Sequence, residues 1–128
     1  MTHVALVAVV VADYDEAIDF YVRALGFQLR EDTDLGAGKR WVVVAPPAAR
    51  ECAVLLARAA TPRQAERISD QTGGRVGLFL HTADFAAEHA RMTAAGVRFT
   101  EPPRSEPYGT VAVFEDLYGN RWDLIQPA

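Results

Sequence analysis

The chain has 128 residues, half of them apolar, with 13 basic against 17 acidic side chains and a formal net charge of -4. That is enough sequence for one ordinary globular domain with its own core, and the acidic balance excludes the clustered basic excess of a nucleic-acid surface. A single cysteine, Cys52, excludes an intrachain disulfide and a cysteine-based zinc cluster within the chain, and no apolar run approaches the ~20 residues of a membrane span. The expected setting is a soluble protein of a reducing compartment, the cytoplasm, with a small molecule or a protein as its partner.

The opening run MTHVALVAVVVADYDEA lacks a basic leader and is cut off by Asp13, Asp15 and Glu16, so Val4 to Val11 is predicted as a strand and not as a signal peptide. Asp13 is a helix N-cap with Glu16 at capping-box spacing. Tyr14, Ala17, Ile18, Tyr21 and Leu25 then recur at helical intervals, and Gly26 ends the helix. Strands are predicted at Phe27 to Arg30, Arg40 to Ala45 and Ala53 to Ala57. The segment TPRQAERISDQTGG reads as a short helical connector, with Thr61 as cap, Pro62 in the first turn and Gln64 closing a capping box.

The second half repeats the first. Superposing VADYDEAIDFYVRALGFQL on TADFAAEHARMTAAGVRF aligns Asp13 with Asp84, Tyr14 with Phe85 and, after a one-residue gap, Gly26 with Gly96. Strands are predicted at Val76 to Leu80, Val97 to Phe99, Thr110 to Glu115 and Trp122 to Gln126. Each half is therefore β-α-β-β-β. The chain is expected to form one α+β domain from residue 1 to 128, with a first module over about 1–58, a connector over about 59–74 and a second module over about 75–128.

A doubled βαβββ unit that carries DYDEAIDFYVRALGF in its first half and VFEDLYGNRWDL in its second resembles the vicinal oxygen chelate superfamily, which includes glyoxalase I, bleomycin-resistance proteins and extradiol dioxygenases. The resemblance covers nearly the whole chain. It implies two modules whose mixed sheets curve inward around a cleft, and a homodimer, since small members commonly pair. It does not fix the activity, because that scaffold hosts isomerisation, dioxygenation, thiol transfer and sequestration alike.

The resemblance also implies where a metal would be held. Metal-dependent members place a His or Glu on the first strand, seven residues before the helix-opening Asp, and here that residue is Leu6. The second ligand belongs on the strand reading Ala53-Val54-Leu55-Leu56, and the third falls at Arg75 or Gly77. Only the fourth, the acid of the last strand, has a match, Asp123. Catalytic metals generally need about three protein ligands and an open position. No cofactor is therefore expected, and a divalent metal enters only if the strand register differs.

The remaining candidates form a ligand cleft. Leu6, Ala8, Val10, Trp41 or Val42, Leu55 and Phe79 are expected to line it, with Tyr108 in a Pro-rich loop beside it and His81 on the same strand face as Phe79. Arg75 is the expected partner of Asp123, unless both reach solvent. Trp122, next to Asp123, should point to the opposite side of the sheet, under a helix. His3 reads as a terminal residue, His89 as a half-buried helix residue, and Cys52 as a buried structural thiol with no activating neighbour. The favoured reading is binding of a small, largely apolar or aromatic molecule without a metal. The alternatives are a metal-dependent lyase, isomerase or dioxygenase of the same superfamily, a metal-free catalyst using Asp123, His81 or Tyr108 as acid or base, and a dimerisation module with a filled cleft.

Overall fold

The computed structural model describes residues 1–128, which divide into two units, Met1–Ile68 and Ser69–Ala128. The first holds β1 (Leu6–Val11), α1 (Tyr14–Asp19), β2 (Gln28–Gly36), β3 (Lys39–Ala45), β4 (Ala53–Arg58) and α2 (Pro62–Ala65). Its sheet runs in the order β1-β4-β3-β2, with β1 parallel to β4 and the other pairs antiparallel. The second holds β5 (Leu78–His81), α3 (Phe85–Ala94), β6 (Arg98–Phe99), β7 (Arg104–Glu106), β8 (Gly109–Glu115) and β9 (Arg121–Pro127). Its order is β5-β9-β8-β6, with β7 paired further along β8. The order β5-β9-β8-β6 repeats β1-β4-β3-β2 as the internal repeat predicts, and β7 is a fifth, additional strand in the second unit.

Helix starts follow from their caps. Asp13 Oδ2 accepts the Glu16 amide at 2.8 Å, Thr61 Oγ1 accepts the Gln64 amide at 3.1 Å, and Asp84 Oδ1 accepts the Ala87 amide at 3.1 Å. Each satisfies one of the amides a helix leaves open at its first turn. Asp13→Ala is expected to lower stability by about 1 kcal/mol, measured as a fall in the urea midpoint. One feature of the first helix is not legible in its periodicity: past Asp19 it widens into a π-helical turn, Phe20–Ala24, with the Leu25 amide bonded to the Phe20 carbonyl at 3.2 Å. The wide turn precedes the chain's exit at Gly26.

Alternation along the strands decides what each face carries. In the first sheet the registers Val9↔Leu56 and Val42↔Leu56 put Val9, Val11, Val42, Val44, Val54 and Leu56 on one side, all buried. There they meet the apolar stripe of the helix, of which Tyr14, Ala17, Tyr21 and Ala24 are buried. In the second sheet Trp122, Leu124, Ala112 and Phe114 lie on one side with α3, whose Phe85 and Met92 are buried. An aromatic row runs through this core: Phe85, His89, Phe99, Phe114 and Trp122, with neighbouring ring centroids 4.2–5.8 Å apart. His89 is thus the half-buried helix residue expected, and Trp122 lies under the helix.

Three strand boundaries differ from expectation. β2 runs to Gly36 instead of stopping near Arg30, and all nine of its residues are exposed. An edge strand needs only its ladder to β3, so Asp, Glu and Arg can fill it, and such charges also discourage pairing with another chain. β7 lies in the Pro-rich stretch that reads as a loop. β5 begins at Leu78, which leaves Arg75 and Gly77 outside the strand.

Candidate functional site

Each sheet has a second face that carries no helix. On the first sheet the register Ala8↔Leu55↔Val43 brings Leu6, Ala8, Val10, Leu55, Val43 and Trp41 to that face. Leu6, Val10, Leu55 and Trp41 are half-buried there, whereas Val42 is fully buried on the helix side. Of the two candidates, Trp41 lies on the helix-free face and Val42 does not.

On the second sheet the helix-free face centres on Asp123. Its register partners are Phe79 on β5 and Val113 on β8, and His81 stands opposite Ile125 two residues further on. Phe79 is 60% exposed and Tyr108 50% exposed, but Asp123 keeps only 7% of its surface. Its Oδ1 is sealed from solvent and has no hydrogen-bond partner. Burial pushes the Asp123 carboxyl above its ordinary value of 3.8; the charge of Arg104 pulls it back in part, and that of Glu101 adds to the rise.

Arg75 is not the partner of Asp123. It lies exposed in the turn before β5, its carbonyl accepting the Thr72 hydroxyl at 2.6 Å, and no ion pair joins it to the acid. The cation that acts on Asp123 is Arg104, from the strand that sequence reading passes over. Its guanidinium is already committed: Nε donates to Glu101 Oε1 at 3.1 Å, and Nη1 donates to Glu106 Oε1 at 2.9 Å and to the Tyr108 hydroxyl at 3.2 Å. Glu101 Oε1 also accepts the Val113 amide at 3.2 Å, which ties the cluster to the strand beside Asp123. The spacing of Arg104, Glu106 and Tyr108, every second residue, was the available signal for a strand with one charged face. Tyr108 itself closes the two-residue turn between β7 and β8, where Glu106 pairs with Gly109.

A buried, unpaired carboxyl weakens the fold that holds it. An acid whose pKa rises on folding favours the folded state below its unfolded value and loses that contribution as pH climbs through its folded value. Asp123→Leu is therefore expected to raise stability by about 1–3 kcal/mol at neutral pH. The gain should shrink as pH falls toward the ordinary carboxylate value of 3.8; paired unfolding curves at neutral and acid pH check both statements.

The metal positions implied by the sequence resemblance hold Leu6, Leu55 and, at the start of β5, no usual ligand, with Asp123 alone able to bind a cation. Nowhere in the chain do three or more His, Cys, Asp or Glu side chains come together as a metal ion would need. This donor set does not fit the group. Cys52 is exposed, contrary to the expectation of a buried thiol, with its sulfur 3.8 Å from the Ala53 carbonyl oxygen.

Two units that repeat one strand order, each keeping one face of its sheet free of helix, define the scaffold on which vicinal oxygen chelate proteins handle small molecules. The chain belongs to the Glyoxalase/Bleomycin resistance protein/Dioxygenase superfamily, which it matches over residues 2–124. It is 57% identical over 121 residues to an uncharacterized protein of Shewanella frigidimarina strain NCIMB 400, covering 94% of this chain and 90% of that one. Among solved structures, TnmS3, an antibiotic binding protein from Streptomyces sp. CB03234, superposes with a TM-score of 0.81 at 36% identity, over 100% of this chain and 98% of that one. A superfamily member from Sphaerobacter thermophilus DSM 20745 superposes with a TM-score of 0.82 at 32% identity, over 98% of each chain.

Proposed function

We propose that the protein binds a small, largely apolar or aromatic molecule, without a metal, on a helix-free sheet face. The observation that carries this reading is the exposed Phe79 ring in register with the buried, unpartnered carboxyl of Asp123, with Val113 on the other side. An apolar surface with a few polar groups is the composition of a small-molecule site. Leu6, Leu55 and Trp41 give the first sheet an apolar helix-free face of its own, and on the second sheet His81 lies two residues along β5 from Phe79 while the Tyr108 hydroxyl holds Arg104. Arg75, off the strand and exposed, is a rim contact at most. The likeness to an antibiotic binding protein over the full chain supports a sequestering role. Leucines at two metal-ligand positions support the absence of the metal.

In the same reading the two units are halves of one domain, and the protein is a cytoplasmic homodimer. The exposed valines Val4 and Val7, at the open edge formed by β1, are consistent with a covered edge in a pair of chains. No helix is long and apolar enough to cross a membrane.

The test titrates the purified protein with bleomycin, doxorubicin and tetracycline by equilibrium dialysis. Elemental analysis follows incubation with Ni, Zn, Mn or Fe(II) and desalting. Micromolar binding of at least one compound, weakened roughly tenfold or more by Phe79→Ala, with no metal retained, is the expected result. Near-stoichiometric metal retention that Asp123→Ala abolishes would overturn the metal-free reading.

A further inference from the structure

The proposed function leaves the polar chemistry of the ligand open, and Asp123 narrows it. Oδ1 has no hydrogen-bond partner in the chain, on a residue more than nine-tenths buried. The nearest cation in effect, Arg104, has its Nε and Nη1 engaged by Glu101, Glu106 and Tyr108. The register neighbours Phe79 and Val113, and Ile125 two residues along β9, are apolar and can donate nothing. An ionised carboxyl is purely an acceptor, and leaving it unmet in apolar surroundings is costly, so a donor brought by a ligand gains more here than it would from a solvated acid. A ligand acceptor would meet the opposite situation, since the acids Glu101 and Glu106 flank Arg104 and neutralise its charge.

We infer that the molecule taken by the helix-free face of the second sheet carries a hydrogen-bond donor, an O–H or N–H on a planar apolar frame, and that the Asp123 carboxylate accepts it once the exposed Phe79 ring shifts off the acid to cover the ligand. The inference rests on the small-molecule reading above and adds the donor to it. It assigns Asp123 the role of reading the ligand, in the place where the resemblance alone would put a metal ligand. It also accounts for an acid that weakens the empty fold: the group is held unmet until the ligand meets it.

The test uses three probes of one ring size: 2-naphthol, which donates; 2-methoxynaphthalene, in which the donor is capped; and 2-naphthoate, which is an anionic acceptor. Affinities are measured by calorimetry on the full chain, wild type, Asp123→Leu and Asp123→Asn. In the wild type 2-naphthol is expected to bind about tenfold or more tighter than 2-methoxynaphthalene, with 2-naphthoate weakest. In Asp123→Leu the ratio of the first two should collapse toward unity while 2-methoxynaphthalene binds as well as before or better. Asp123→Asn, which keeps a carbonyl oxygen, should retain part of the preference. Equal binding of naphthol and its methyl ether by the wild type, a preference that survives in Asp123→Leu, or tighter binding of naphthoate would overturn the inference and leave the small-molecule reading standing. Binding of none of the three at millimolar concentration would overturn the reading on which it rests.

Discussion

Gly109→Ala is expected to remove about 3–5 kcal/mol of stability, the largest effect of any single methyl group in the second unit. Gly109 opens β8 with φ at +144°, a conformation that side-chain-bearing residues rarely take, and it is buried. A Cβ there would run into the Gln126 carbonyl oxygen and stand 3.0 Å from the carbonyl carbon of Gln126 and 3.1 Å from Cα of Pro127. None of these atoms can turn aside, because Gly109 pairs with Pro127 and Thr110 with Gln126 in the β8–β9 ladder. The consequence reaches further than one contact. Gln126 Oε1 accepts the Phe85 amide at 2.8 Å at the start of α3, so displacing β9 there also disturbs the entry of the helix. Gly119→Ala is the control, since its φ is +79° but a Cβ would meet open space. It should cost only the conformational strain, about 1–2 kcal/mol. Urea unfolding of the two variants beside the wild type gives the comparison.

Asp116→Ala is expected to cost about 3 kcal/mol or more, for a different reason. Asp116 is buried in the turn between β8 and β9, and its carboxylate organises that turn from within. Oδ1 accepts the amides of Tyr118 at 2.9 Å and Asn120 at 3.0 Å, and Oδ2 accepts the Asn120 side-chain amide at 2.8 Å. Removing it leaves three donors without these acceptors, two of them on the buried Asn120, and a buried donor left unmet loses more than the bond was worth. Asp116→Asn keeps an acceptor for the two backbone amides and loses the third bond, so its loss should be clearly smaller. If the two variants were equally unstable, the charge and not the turn geometry would be the main contribution. The segment EDLYGN is thus a structural motif, which is why it identifies the fold and says little of the chemistry.

Most of the fold was legible because it depends on local signals. Asp13, Thr61 and Asp84 cap helices as their spacing predicts, and alternation separates Trp122 from Asp123 as expected, whereas Trp41 and Val42 are told apart only by the register of β3 against β4. The parts that escaped were those without such signals. β2 beyond Arg30 is an edge strand whose REDTDLG has no apolar alternation, and β7 is a three-residue strand between prolines. Missing β7 had a consequence for the site, because Arg104 and Glu106 sit on it and Arg104 is the cation whose charge acts on Asp123. Strand order and the fit of a guanidinium to a carboxylate point instead to Arg75, which the late start of β5 leaves off the strand. Cys52 shows the same limit: burial of a lone residue at a strand boundary depends on the chain around it.

Asp123 connects the two levels. As part of the fold it is a cost, and Asp123→Leu should make the protein more stable. As part of the proposed site it is the buried acid of a face it shares with Phe79, Val113 and His81, and the same substitution should remove the selectivity for a donor. A residue that trades stability for recognition is the expected signature of a functional position.

The most direct measurement of the central claim is a two-dimensional amide NMR titration of the uniformly labelled protein with 2-naphthol. The account expects saturable shifts at Phe79, Val113 and Asp123, and at Tyr108 beside them, with the amides of α3 on the opposite side of that sheet unmoved. Shifts confined to α3, or none at millimolar probe, would contradict it.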